Sequence, residues 1–263
     1  MTTILGILNI TADSFSDGGK YLEPAAAIAH GNALIAEGAD VLDLGAASSN
    51  PDAESVLPEV EIARLAAVVP ALSGRSLSVD SCSQQVQHWA LEQGVDYLND
   101  ILGFPDPVLY PALASSRTRL IVMHAVQRMG RATRVDVPAG EIMDRITDFF
   151  DARLAVLESA GIGRDRLILD PGMGFFLGGD PEASLTVLRR LPDLSSRYRL
   201  PLLVSVSRKS FVRRIVGRDA AASGPASLAA ELFAIRQGAQ YIRTHVPGQL
   251  RDALAVATTL EMP

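Results

Sequence analysis

Leu167-Ile-Leu-Asp-Pro-Gly-Met-Gly-Phe-Phe-Leu-Gly178 decides how this chain folds. A short apolar run delivers one carboxylate, Asp170, and breaks at Pro171 and Gly172. Apolar strand, polar residue, then Gly-rich loop is how a parallel barrel presents a side chain at the rim where its strands end. A carboxylate beside an apolar core has to be paired or hydrogen-bonded. Recurrence of the pattern therefore separates a single capped turn from a built site.

The pattern recurs. Apolar runs occupy residues 4–10, 41–45, 76–80, 97–101, 120–124, 167–170, 202–207 and 241–245. Between them, residues 24–38, 58–72, 84–94, 107–114, 141–161, 181–199, 221–238 and 248–260 space their apolar positions as helices do. Strict alternation of strand and helix predicts a parallel sheet. Eight of each in 263 residues predicts a closed (β/α)8 barrel, the TIM-barrel architecture, as one domain over 1–263.

Composition agrees. Hydrophobic residues make up 48% of the chain and aromatics only 5%, so the core is aliphatic, as parallel strands require. A net charge of −6 argues against a general polyanion-binding surface and predicts no nucleic-acid partner. The single cysteine, Cys82, excludes an internal disulfide framework and fits a reducing compartment. No secretory leader pattern precedes the first strand, and no apolar run approaches the roughly 20 residues of a membrane span. These features predict a cytoplasmic protein with no membrane partner.

Each run ends in polar groups: Asn9, Asp43, Asp80, Asn99 with Asp100, His124, Asp170, Ser207 with Arg208 and Lys209, and Arg243 with His245. Asp80, Asn99 and Asp170 offer acceptors plus one amide donor, which suits the amino-amide edge of a pterin or guanine. Ser207–Ser210 and Arg243–His245 follow strands seven and eight, the usual place of a phosphate site in barrels. Arg243 and His245 are two apart, so on a strand they share one face and favour a joint anion contact. Arg208 and Lys209 face apart, so one of them reaches the site. His124 fits a hydrogen-bonded rim residue as well as a catalytic one. The polar stretch Asn9-Ile-Thr-Ala-Asp-Ser-Phe-Ser-Asp-Gly-Gly-Lys20 reads as a lid with Phe15 at its tip, and residues 46–54 as a second lid. Asn9 and diphosphate oxygens are hard ligands suited to Mg2+.

Assembled in this order, the motifs resemble dihydropteroate synthases from end to end. The residues carrying the resemblance are Gly6–Gly19, Ser78-Val-Asp80, Asn99-Asp-Ile101, Met123-His124, Asp170-Pro-Gly-Met-Gly-Phe175, Ser207-Arg-Lys-Ser210 and Arg243-Thr-His245. The resemblance implies a TIM barrel, usually homodimeric. It would join 4-aminobenzoate to 6-hydroxymethyl-7,8-dihydropterin diphosphate, releasing diphosphate and forming 7,8-dihydropteroate for folate synthesis. It further implies that Asp80, Asn99, Asp170 and Lys209 hold the pterin. Asn9, Arg243 and His245 would hold the diphosphate, with Asn9 meeting Mg2+. Phe15, Ser49, Asn50, Pro51, Phe175 and Ser210 would surround the aminobenzoate. Asp80, Lys209, Arg243 and His245 would be the catalytic set.

Several departures resemble the sulfonamide-insensitive, mobile resistance-type branch. Thr11-Ala12-Asp13 replaces Thr-Pro-Asp, Gly45-Ala-Ala-Ser-Ser-Asn-Pro-Asp52 replaces Gly-Gly-Glu-Ser-Thr-Arg-Pro-Gly, and Phe176 is an extra aromatic after Gly174-Phe175. An added ring beside the pocket could reject the bulkier sulfonamide by a clash. Two other readings compete. A methyltetrahydrofolate:corrinoid methyltransferase shares the Asp/Asn/Asp set but needs no diphosphate cations. A non-catalytic pterin-binding barrel would be expected to lack Lys209, Arg243 or Asn9, and all three are present.

Overall fold

Runs that are apolar on both faces become parallel strands because helices cover them outside and the barrel fills them inside. The computed structural model describes residues 2–11, 22–48, 53–126 and 137–261. Among these, the strands are β1 (Thr3–Asn9), β2 (Val41–Gly45), β3 (Leu77–Asp80), β4 (Tyr97–Asp100), β5 (Arg119–Met123), β6 (Leu167–Asp170), β7 (Leu203–Val204) and β8 (Tyr241–Thr244). Their order, β6-β5-β4-β3-β2-β1-β8-β7, is that of a barrel opened at one seam. A bridge between Leu169 and Leu202 draws that seam together. The fold is the expected (β/α)8 barrel.

The seam has a local cause. Pro201 has no N–H to give, so it contributes only its carbonyl, which accepts from Leu169 N at 2.9 Å. The next amide, Leu202 N, turns to Gln240 Oε1 at 2.8 Å. Strand β7 is therefore shorter than the 202–207 run predicts.

Helices fall where expected, with two revisions. Residues 181–199 form two helices, Pro181–Arg189 and Leu191–Tyr198, and Pro192 stands at the start of the second, where its missing N–H is harmless. Residues 58–72 are α-helical over Pro58–Ala66 only, and Pro70 lies in a separate 3-10 turn, Val69–Leu72. A further short helix, Ser210–Val216, follows Lys209. No helix among the described residues is long and apolar enough to cross a membrane.

Side chains on a strand alternate, so inward positions recur every second residue. Leu5, Val41, Tyr97, Ile121, Ile168, Leu203 and Tyr241 form one buried cluster, one from each of seven strands. This cluster is the barrel floor. Two residues further along β2, β4, β6 and β8, on the same inward side, stand Asp43, Asn99, Asp170 and Arg243. Burying each aliphatic floor residue stabilises the fold by about 1.5–3 kcal/mol and keeps water from beneath the polar layer. Charges in that layer consequently interact more strongly than they would in water.

Candidate active site

Arg243 reaches from β8 across the mouth. Its Nε donates to Asp43 Oδ2 on β2, and its Nη2 donates to Asp80 Oδ2 on β3 at 2.9 Å. Asp43 is fully buried, while the Asp80 side chain is 23% exposed. Asp43 is the residue that sequence reasoning left without a role. A lone acid inside Val41-Leu-Asp-Leu-Gly45 must find a cation or donors, and that was the available signal. Burial pushes the Asp80 carboxyl up to about 7, opposed by Arg243 and reinforced by Asp43 and Asp100.

Arg243 and His245 leave β8 by different holds. Strand β8 ends at Thr244, Arg243 is engaged by the two carboxylates, and His245 lies beyond the strand with Nδ1 3.0 Å from Ser207 Oγ. Burial, with Arg208, Arg243 and Lys209 nearby, holds the His245 pKa well below the ordinary histidine value. Its ring is neutral at physiological pH.

Lys209 arrives from the turn after β7. Arg208 takes the left-handed conformation, φ 57°, and its N–H donates to Ser227 Oγ at 2.9 Å. Beyond this turn the Lys209 ammonium lies 4.7 Å from the centroid of the Phe176 ring. Burial lowers Lys209 to about 8; Arg243 adds to this, while Asp170 and Asp80 oppose it. Asp170 is 3% exposed, and its Oδ1 accepts from Gly172 N at 2.8 Å. Burial raises its carboxyl to about 6, against the Gly172 bond and Lys209.

The Gly-rich loop after β6 requires its glycines. Gly172 has φ 77°, and a Cβ there would stand 2.4 Å from the His124 carbonyl oxygen. Gly174 has φ 65°, and its Cβ would meet Ser210 Oγ at 3.2 Å and Lys209 Cδ at 3.5 Å. The close approach sets Phe175 and Phe176 beside Lys209 and Ser210. Phe176 is 5% exposed and packs with Ile101 and Met123, and Phe175 packs against the same cluster.

Asn99 is buried, with Nδ2 3.4 Å from Asp43 Oδ2. Asp43 Oδ1, Asn99 Oδ1 and Ser78 Oγ are buried with no hydrogen-bond partner among the described groups. Unpartnered polar atoms are rare in folded proteins, and three on adjacent strands β2, β3 and β4 mark the bed of a polar ligand. Asn9 ends β1 close by. A Cβ on Gly45 would lie 3.5 Å from Asn9 Oδ1 and 4.0 Å from Asp80 Oδ2, so the absent side chain keeps that space open.

Two rim residues belong to the scaffold. Asp100 is fully buried and accepts from Leu102 N, Phe104 N and Gln87 Nε2. His124 is 3% exposed, with Nδ1 3.1 Å from the Pro171 carbonyl and its ring edge-on to Phe149. Burial lowers it to about 4, so it stays neutral. Phe15, Ser49, Asn50 and Pro51, and most of the two predicted lids, lie outside the described residues.

The mouth of this barrel gathers buried carboxylates, an amide and two cations, a polar bed of the kind that binds a small charged or heterocyclic ligand. Residues 5–245 match the pterin binding enzyme family. Escherichia coli dihydropteroate synthase type-2 is 58% identical over 260 residues, covering 98% of this chain and 96% of that protein. Among solved structures, Xanthomonas albilineans dihydropteroate synthase with 4-aminobenzoic acid superposes with TM-score 0.88 at 33% identity, covering 100% of this chain and 94% of that one. The Yersinia pestis dihydropteroate synthase in a sulfonamide drug complex gives TM-score 0.88 at 30% identity, covering 98% and 93%. The chain belongs to the dihydropteroate synthase family of pterin-binding enzymes, transferases of folate synthesis.

Proposed function

We propose that the rim divides the dihydropteroate synthase reaction between a carboxylate half that holds the pterin and a cationic half that draws off diphosphate. The observation that carries this reading is the set of buried acceptors without partners, Asp43 Oδ1 and Asn99 Oδ1, beside Asp170. Acceptors in that position call for N–H groups, which the amino-amide edge of a pterin supplies. Lys209, whose neighbours are Asp170 and Asp80, sits where it can bond the ring's carbonyl side.

Catalysis follows from where charge develops. As the C–O bond to diphosphate breaks, the methylene carbon becomes cationic and the leaving oxygen anionic. Asp80 stabilises the cation, and Arg243 with His245 favours the departing anion. The aniline nitrogen of 4-aminobenzoate then attacks the methylene and loses its proton. Arg243 is held by Asp43 and Asp80 in the ligand-free arrangement. Diphosphate would therefore compete with Asp80 for its guanidinium, which leaves Asp80 free to face the new cation.

Mg2+ fits as a companion of the diphosphate. No three His, Cys, Asp or Glu among the described residues form a metal cluster. Mg2+ with a phosphate substrate, however, needs only one or two protein oxygens. Asn9 Oδ1, flanking the open space at Gly45, is a hard ligand of the right kind. The ion would add Lewis-acid stabilisation of the leaving group.

Reduced sulfonamide sensitivity is part of the same proposal. Phe176 is packed beneath Lys209, so it acts by stiffening the wall that Phe175 and Ser210 share. A planar carboxylate fits against such a wall more easily than a tetrahedral sulfonyl with its substituent. We also expect a cytoplasmic homodimer, and exposed Phe233, Val256 and Leu260 on the last two helices supply apolar surface for it. A diphosphate-release assay with 4-aminobenzoate, repeated with a sulfonamide, tests the function. Release should depend on aminobenzoate and persist in the drug. Phe176→Leu, which retains most of the buried volume, should raise drug inhibition by about tenfold, the scale of a small change in pocket shape. Pterin binding without diphosphate release would overturn the enzymatic reading.

A further inference from the structure

Ser205 carries a buried hydroxyl that the mechanism above does not use. It stands one residue past β7, is 6% exposed, and its Oγ has no hydrogen-bond partner among the described groups. Which way it faces follows from its neighbours. Val204 and Val206 belong to the large core that also takes in the buried faces of the helices, whereas Leu203 belongs to the barrel floor. Side chains alternate along the chain here, so Ser205 points inward, two residues above Leu203. Asp43, Asn99, Asp170 and Arg243 stand the same step above their own floor residues, so Ser205 is the member of that polar layer on the β7 side.

Strand register places it more closely. Leu203 pairs with Tyr241 and Val204 with Ile242, so one further step sets Ser205 beside Arg243. On the other side, the bridge between Leu169 and Leu202 makes β6, with Asp170, the next strand of the wall. Lys209 leans towards β6: its Cδ approaches Gly174, and its ammonium lies over the Phe176 ring. Passing round the mouth from β6 to β8, the polar groups are therefore Asp170, Lys209, Ser205 and Arg243. A buried hydroxyl without a partner costs stability that an alanine would not, and a ligand that completes the bond offsets the cost.

The substrate's own polar atoms follow the same order. From N3–H, a pterin diphosphate presents the 4-carbonyl oxygen, then the ring nitrogen N5, then the C6 methylene that bears the diphosphate. With Asp170 on N3–H, Lys209 on the carbonyl oxygen and Arg243 towards the diphosphate, N5 falls to Ser205. N5 is an acceptor, and a serine hydroxyl has one proton to give. We propose that Ser205 is a pterin-contact residue: its hydroxyl donates to ring nitrogen N5 and so selects a heterocycle with an acceptor next to the reacting carbon. A neutral hydroxyl draws little charge from the ring. It holds substrate and transition state alike, so its effect falls on KM and not on kcat.

The inference rests on the pterin reading above, so the test separates the two. With saturating 4-aminobenzoate, Ser205→Ala should raise KM for the pterin diphosphate about five- to tenfold, the worth of one neutral hydrogen bond. Its kcat and its KM for 4-aminobenzoate should stay within about twofold of wild type. Its urea midpoint should not fall, because the variant removes an unpaired buried hydroxyl. The second arm is calorimetric binding of 6-hydroxymethylpterin and of its 5-deaza analogue, in which C–H replaces N5. The preference for the pterin should be about five- to tenfold greater in wild type than in Ser205→Ala. An equal preference in both proteins would overturn the contact with N5, as would lost stability with unchanged pterin affinity. Ser205→Cys, similar in shape and a weaker donor, serves if the alanine variant fails to fold, and should lose part of the same preference. Failure of the wild type to bind 6-hydroxymethylpterin would overturn the pterin reading and this proposal with it. Pterin binding that ignores residue 205 would overturn the role of Ser205 alone.

Discussion

Asp80 and Asp100 end neighbouring strands, and burial raises both carboxyls above the ordinary range, yet their surroundings differ in kind. Asp100 takes Leu102 N at 2.8 Å, Phe104 N at 2.9 Å and Gln87 Nε2 at 2.9 Å. These bonds hold a turn in which Phe104 adopts φ 60°, so the carboxylate stabilises a strained loop. Asp80 receives Arg243 Nη2 and has Lys209, Asp43 and Asp100 as charged neighbours. A carboxylate saturated by two backbone amides and a side-chain amide shapes the scaffold. One set among movable cations, with acceptor capacity remaining, can change partners when a ligand arrives.

The contrast can be broken in several places. Asp43→Asn removes the buried counter-ion of Arg243. It should cost about 3 kcal/mol of stability in urea unfolding, at the low end for a broken buried pair because Asp80 still holds the guanidinium. An unchanged urea midpoint would mean that the pair is not a structural anchor. Asp80→Asn should lower diphosphate release at least ~100-fold, the scale of losing one electrostatic stabiliser, while the urea midpoint moves little. Near-normal turnover in the folded variant would count against its role.

Asp100→Asn should behave in the opposite way, because its amide turns one acceptor into a donor facing other donors. Stability should fall by about 1–3 kcal/mol with kcat close to wild type. A large loss of kcat at unchanged stability would erase the distinction between the two acids. The gentlest probe is pH. Asp170 titrates near 6 and must be ionised to accept pterin N–H groups. Asp80, raised to about 7, must be ionised as well, so kcat/KM for the pterin diphosphate should fall by about tenfold per unit below 7 and more steeply below 6. Asp170→Asn should lower the plateau and remove only the steeper part; a fall of unchanged steepness would assign that part to another group.

By itself the sequence determined the barrel, since eight apolar runs alternating with helical spacings leave a parallel sheet few other closures. It also marked Asp80, Asn99, Asp170 and Lys209, each of which follows an apolar run and precedes a break in it. Those are local signals, read from periodicity and from Gly or Pro within a few residues. Tertiary structure alone decided who partners whom. Arg243 meets an acid 200 positions away on β2, which depends on strand register and on the inward side of β8. It also decided that Asp100 and His124 serve the scaffold, and that Arg243 is tied to Asp43 and Asp80 while His245 meets Ser207. Periodicity tells a side chain which way to face, but a buried charge finds its partner only when separate strands are brought to the same height.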